Sequence, residues 1–215
     1  MEWPLDRKRN RMPIRTSSPR TARVALILRA AVAAVAAVFV TFVQERTGDF
    51  ALLVFLAFLI ATLAVLVVDM VLRGLSAARW ALVLAYSLGV LVVVAVPGAP
   101  DARFHIALLI WAAAAGNVEL ASGLLDRTSV EARDRITVGA LTCVLAIVTL
   151  VVSPGYSLDY FVEEAGQSFT LTGTIIGVGL FGGWAAIIAV YLGIGALSPA
   201  QKTAVAQTSV TKDAS

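Results

Sequence analysis

Charge is scarce in this sequence, and reactive side chains are scarcer still. Only 14% of its 215 residues are Asp, Glu, Lys or Arg, against 59% hydrophobic. A water-soluble domain of this length cannot hide so much apolar surface, so the bilayer must act as its solvent. The single cysteine, Cys143, excludes a disulfide within the chain. With one Cys and one His (His105) the ligand sets of zinc and haem sites are missing. There is no serine nucleophile with a histidine partner and no glycine loop to cradle a phosphate. No catalytic, cofactor-binding or metal-binding residue is therefore expected, and Cys143 and His105 read as a packing residue and an interfacial residue. The long segments do not alternate polar and apolar residues, which argues against a β-barrel. The net charge of +3 is no nucleic-acid footprint, because the basic residues follow the topology.

What is there is a series of long apolar runs. Six lie near residues 24–43, 51–72, 80–96, 104–125, 136–152 and 170–197. A bilayer core of about 30 Å needs about 20 helical residues, so each is a candidate span. The expected fold is an all-α integral membrane domain over 24–197, with six transmembrane helices. A basic tail (1–23) and a polar tail (198–215) flank it, and both are expected to be disordered. The first run is too long for the apolar core of a usual signal peptide, about 7–15 residues, and reads as a retained helix.

Lys and Arg outside the runs sort by side. Arg7, Lys8, Arg9, Arg11, Arg15, Arg20 and Arg23 precede the first run. Arg73 and Arg79, then Arg127, Arg133 and Arg135, then Lys202 and Lys212 follow the even-numbered runs. The intervening loops carry Arg46 and Arg103 only. The positive-inside rule then places both termini in the cytoplasm, in a plasma membrane. The N-terminal tail has a second reading, as an anchor for anionic lipid headgroups at about 1 kcal/mol per basic residue. The topological reading weighs more.

Three charges fall inside the runs. Glu119 lies about six residues from the loop at Asp126, roughly 9 Å deep at 1.5 Å per residue. Arg29 and Asp69 lie at comparable depth on the same side. A carboxylate near the centre of a membrane helix costs about 2.5–3.5 kcal/mol, so these residues are expected to face the bundle interior. Arg29, Asp69 and Glu119 form the candidate intramembrane charge cluster, with Arg29 pairing Glu119 or else Asp69. Asp69 has a further partner in Arg73 at i,i+4. Gly116 and Gly123 share the helix face of Glu119 and mark the approach of another backbone. In the sixth run, Gly173 with Gly177 and Gly179 with Gly183 make small-xxx-small pairs, which serve packing within the chain or a homo-oligomeric contact. Packing within the chain is the preferred reading.

The connections read as tight turns at Pro97-Gly98-Ala99-Pro100 and at Ser153-Pro154-Gly155. Asp126 to Arg135 reads as a solvated mixed-charge link. The longest outer loop, from Ser153 to Phe169, holds Tyr156, Asp159, Tyr160, Phe161, Glu163 and Glu164 and no Lys or Arg. It reads as a short interfacial helix with its aromatics toward lipid.

The apolar runs begin at Val24, Trp80 and Ile136, at even intervals, which suggests three repeated helical hairpins. The Gly116-x-x-Glu119 turn, Gly123, the basic loop and the helix ending at Pro154 resemble the HdeD-type family of short-repeat bacterial membrane proteins. That resemblance implies six helices in three hairpins and a link to acid resistance. The first hairpin departs from the family pattern, with Gln44 to Asp49 where a proline is usual.

Two functional classes follow. One is a non-enzymatic membrane protein that organises the envelope, with the charges fixing helix register and with lipid or another membrane protein as partner. The other is a small proton-linked carrier that uses Glu119.

Overall fold

In the computed structural model, residues 19–44, 46–129, 131–163 and 166–198 are described. Of the tails expected to be disordered over 1–23 and 198–215, residues 1–18 and 199–215, with their expected lipid contacts, lie outside the described residues, whereas residues 19–23 are not disordered but form the start of α1. The elements run α1 (Pro19–Phe42), α2 (Gly48–Arg73), α3 (Ala77–Ala95), α4 (Pro100–Leu125), α5 (Ala132–Val151), β1 (Ser157–Val162), β2 (Gln167–Thr172) and α6 (Gly173–Leu197). All six helices are long and apolar enough to cross a bilayer, and the chain is an all-α multi-pass membrane protein.

Polar residues punctuate the apolar runs where each helix must start or stop. Thr47, Ser76 and Thr172 stand at the N-caps of α2, α3 and α6, and each hydroxyl accepts from the amide three residues on. Pro100 opens α4, where its missing N–H costs nothing. Gly74, at φ 85°, ends α2 in a conformation that side chains disfavour. Arg23 of α1 donates to the Ser198 carbonyl beyond α6 at 3.0 Å, so the two ends of the described chain share one face of the bundle. That face is called the termini face below.

Helices pack most intimately where side chains are smallest. A Cβ added at Gly116 would stand 2.9 Å from the Cys143 backbone nitrogen, and one at Gly123 2.8 Å from the Ala132 carbonyl, so α5 lies directly against α4. Gly139 of α5 returns the contact against the Leu120 backbone. The other close pair is α1 with α6, where Ala30, Ala33, Ala36 and Ala37 are buried and Gly182 receives Val40. The tightest packing thus joins helices from different hairpins, and α5 and α6 part along an apolar groove lined by Val144, Val148, Ile176, Gly179 and Gly183.

Aromatic rings fill the middle. Phe55 and Phe58 of α2, Tyr86 of α3, Phe104 and Trp111 of α4, and Phe181 and Trp184 of α6 meet mostly edge to face, Trp111 and Trp184 at a centroid distance of 5.2 Å. Trp184 donates its indole N–H to Thr142 of α5 at 3.2 Å. The outer surface is a belt of exposed apolar side chains, among them Phe42, Leu53, Val71, Leu150 and Val190, which is the composition a bilayer solvates.

Three expectations need correction. The loop after α5 is a β-hairpin and not an interfacial helix. Residues 157–162 pair antiparallel with 167–172, and Gly166 at φ 58° supplies the turn. Gly179 and Gly183 do not pack within the chain, since nothing lies within 4 Å of a Cβ at either. Gly173 meets the Ser153-Pro154 turn and Gly177 meets the Phe104 ring, so only the first pair packs. His105, read as an interfacial residue, is buried within the bundle, beside the Thr149 backbone of α5.

Candidate functional site

All six helices contribute to one polar cavity at the termini face, of about 70 Å³. Its apolar wall includes Ala22, Leu26, Leu82 and Leu192. Its charged lining is Arg29, Asp69, Arg73, Arg79, Glu119, Glu131, Asp134 and Arg135. Four guanidinium groups face four carboxylates, so the cavity is neutral with all groups ionised. A volume of this size admits a few water molecules, each needing at least about 10–15 Å³.

The deepest ion pair is Arg29 of α1 with Glu119 of α4, at 2.5 Å. The Glu119 side chain is only 4% exposed and Arg29 17%. The Tyr86 hydroxyl of α3 also accepts from Arg29, so three helices converge on one guanidinium. Ala-rich α1 lets Arg29 approach Glu119, which shares its helix face with Gly116 and Gly123, where α4 meets α5. Immediately beyond Tyr86 lies the aromatic cluster.

Nearer the surface the charges form a chain. Asp69 accepts from Arg73 one turn on, at 3.3 Å, and lies 3.4 Å from the Arg79 Nε. Arg73 crosses to Glu131, which also accepts from Arg135 at 2.8 Å. Arg79 bends back to donate to the Gly74 carbonyl at 2.5 Å, capping the end of α2. Asp134 accepts from the Tyr191 hydroxyl of α6 at 3.0 Å. Burial pushes the Glu131 carboxyl up, but Arg73 and Arg135 outweigh it and hold it below the ordinary carboxylate range.

Arg29 and Glu119 therefore meet, and Asp69 stands across the same cavity, held by Arg73 and Arg79. Within the Asp126–Arg135 stretch, Asp126, Arg127 and Thr128 are exposed as a solvated link would be, but Glu131 and Arg135 close the α2–α3 corner onto α5. Arg79, Glu131 and Arg135 were not singled out in the sequence. The i,i+4 spacing of Glu131 and Arg135 was the one signal available for them. Gly116 and Gly123 serve packing. Among the described residues no group of three His, Cys, Asp or Glu is placed to hold a metal ion.

Chemically, the charges that line the cavity compensate one another. Each carboxylate lining the cavity has a hydrogen-bonding or ionic partner from another side chain. Comparison with protein-family models, curated proteins and solved structures finds no match.

Proposed function

We propose that this chain is a non-enzymatic plasma-membrane protein that organises the envelope, with both termini in the cytoplasm. The neutral charge network acts as a lock that holds six helices in register. The observation that carries this reading is the pairing of Arg29 with Glu119 beneath the buried aromatic cluster. Charge enters the bundle from one face, is compensated within it and goes no further. Desolvation makes a buried ion pair a poor source of stability but a strong device for fixing geometry. The resemblance to the HdeD-type family suggests acid stress as the condition under which the protein matters. The open notch of Gly179 and Gly183 suits another membrane helix, from a second copy or a different protein. The basic N-terminal tail suits anionic headgroups.

A second reading, a small proton-linked carrier, is favoured by one observation: the cavity opens to the termini face and Glu119 lines it. Deletion of the gene, with restoration by wild type or Glu119→Gln, separates the two. After an acid shift, cytosolic pH and survival are followed. The lock reading expects a survival defect on deletion, full rescue of pH recovery by a Glu119→Gln protein that accumulates normally, and no change in proton entry. Failure of a normally accumulating Glu119→Gln to restore pH recovery moves the carrier ahead. Survival and pH recovery unchanged by deletion would remove the acid-stress assignment.

A further inference from the structure

The hairpin on the face opposite the termini is amphipathic, and its apolar face has no partner among the described residues. Its register pairs Leu158 with Leu171 and Tyr160 with Phe169 on one face. The other face pairs Ser157 with Thr172, Asp159 with Thr170 and Phe161 with Ser168. The Tyr160 and Phe169 rings stack at 6.0 Å, while Asp159 accepts from the Thr170 hydroxyl at 2.5 Å on the polar side. Leu158, Tyr160 and Phe169 are exposed in the isolated chain. A two-stranded ribbon with an uncovered apolar face is marginal in water.

The root of the ribbon lies at the membrane boundary. Gly173 donates to the Tyr156 carbonyl at 2.8 Å, closing the hairpin base where α6 begins. Thr172 is at once the last residue of β2 and the N-cap of α6, so no linker lets the ribbon drift from the bilayer. The exposed Leu150 and Val151 of α5 continue the apolar surface up to its base.

We infer that the ribbon lies flat on the bilayer, with Leu158, Tyr160, Phe169 and Leu171 in the headgroup layer and Asp159 and Thr170 toward water. Six residues at about 3.3 Å each make a strip about 20 Å long. Tyr belongs at that level, with its ring in the apolar region and its hydroxyl wet. No Lys or Arg stands between Ser153 and Thr172, so the contact is with the apolar layer of the lipid and not with anionic headgroups. It is therefore insensitive to salt. Phe161 is the exception, an exposed ring on the polar face, and it serves as an internal reference.

The native sequence has one cysteine, so a Cys143→Ser background accepts single labels cleanly. Nitroxides at Leu158→Cys, Tyr160→Cys and Phe169→Cys are compared with Asp159→Cys and Thr170→Cys in phosphatidylcholine nanodiscs. The ratio of collision with oxygen to collision with a water-soluble nickel chelate is expected to be several-fold higher at the first three positions, at low and high salt alike. Hydroxyl-radical footprinting of the unmodified protein checks the same point without substitution. Tyr160 and Phe169 are then oxidised several-fold less than Phe161. Equal chelate access at all five positions, or equal oxidation of the three rings, overturns the inference and leaves the ribbon standing in water as a surface for a soluble partner.

Discussion

Arg29 and Glu119, 90 positions apart, are joined by a 2.5 Å ion pair that ties α1 to α4 within the membrane-spanning bundle. Removing either partner leaves the other charge buried and uncompensated, at a cost of about 3–5 kcal/mol. Arg29→Gln and Glu119→Gln are each expected to lower unfolding stability in detergent by that amount. The charge swap, Arg29→Glu with Glu119→Arg, restores most of it. Thermal and denaturant unfolding of the purified variants checks this, and a double variant no better than the singles means the pair is not what ties these helices.

Asp69 behaves differently, because its partners are Arg73 and Arg79. Asp69→Asn is expected to loosen the α2–α3 corner while leaving Arg29 and Glu119 paired. In a double-mutant cycle with Arg29→Gln the two effects add within about 0.5 kcal/mol, as for independent sites. A coupling well above that would mean the three charges act as one cluster.

The glycines divide by what a methyl group would meet. At Gly123 it meets the Ala132 carbonyl at 2.8 Å, so Gly123→Ala is expected to destabilise by about 1–3 kcal/mol. At Gly183 it meets nothing within 4 Å, so Gly183→Ala is neutral or stabilises the monomer by up to about 1 kcal/mol through helix propensity. Monomer unfolding reads the difference, and equal costs would contradict the assigned faces of α4 and α6.

Glu131 gives the network a pH dependence. Its folded-state pKa is depressed below 4.5 because Arg73 and Arg135 outweigh its burial. A depressed carboxylate contributes stability that is present above its unfolded value and lost as pH falls through the folded one. Stability is therefore expected to decline as pH drops below about 4.5, and Glu131→Gln should flatten that decline while lowering stability at neutral pH. Unfolding midpoints measured from pH 3 to pH 7 decide it, and a decline of equal size in wild type and variant would place the sensitivity elsewhere.

The six spans were legible because continuous apolar length is itself the membrane signal, and Arg29 with Glu119 was legible because opposite charges at one depth need each other. Rotation about the helix axis was not. The sixth helix is apolar all round, so nothing distinguished Gly182, which packs on Val40, from Gly179 and Gly183, which face outward. The Arg73–Glu131 link joins residues 58 positions apart through a loop that reads as solvated, and only the fold brings them together. The hairpin is masked in the sequence because Phe161 interrupts the alternation of Leu158 and Tyr160 with Ser157 and Asp159.

The claim that the charged cavity locks the bundle and does not carry protons is tested most directly in sealed liposomes. Purified protein is reconstituted with a pH-sensitive dye inside, and an inward proton gradient and a membrane potential are imposed. The account predicts proton entry no faster than in protein-free liposomes, with wild type and Glu119→Gln alike. Entry above that background, lost in a Glu119→Gln protein that remains folded, would contradict it and make Glu119 part of a path.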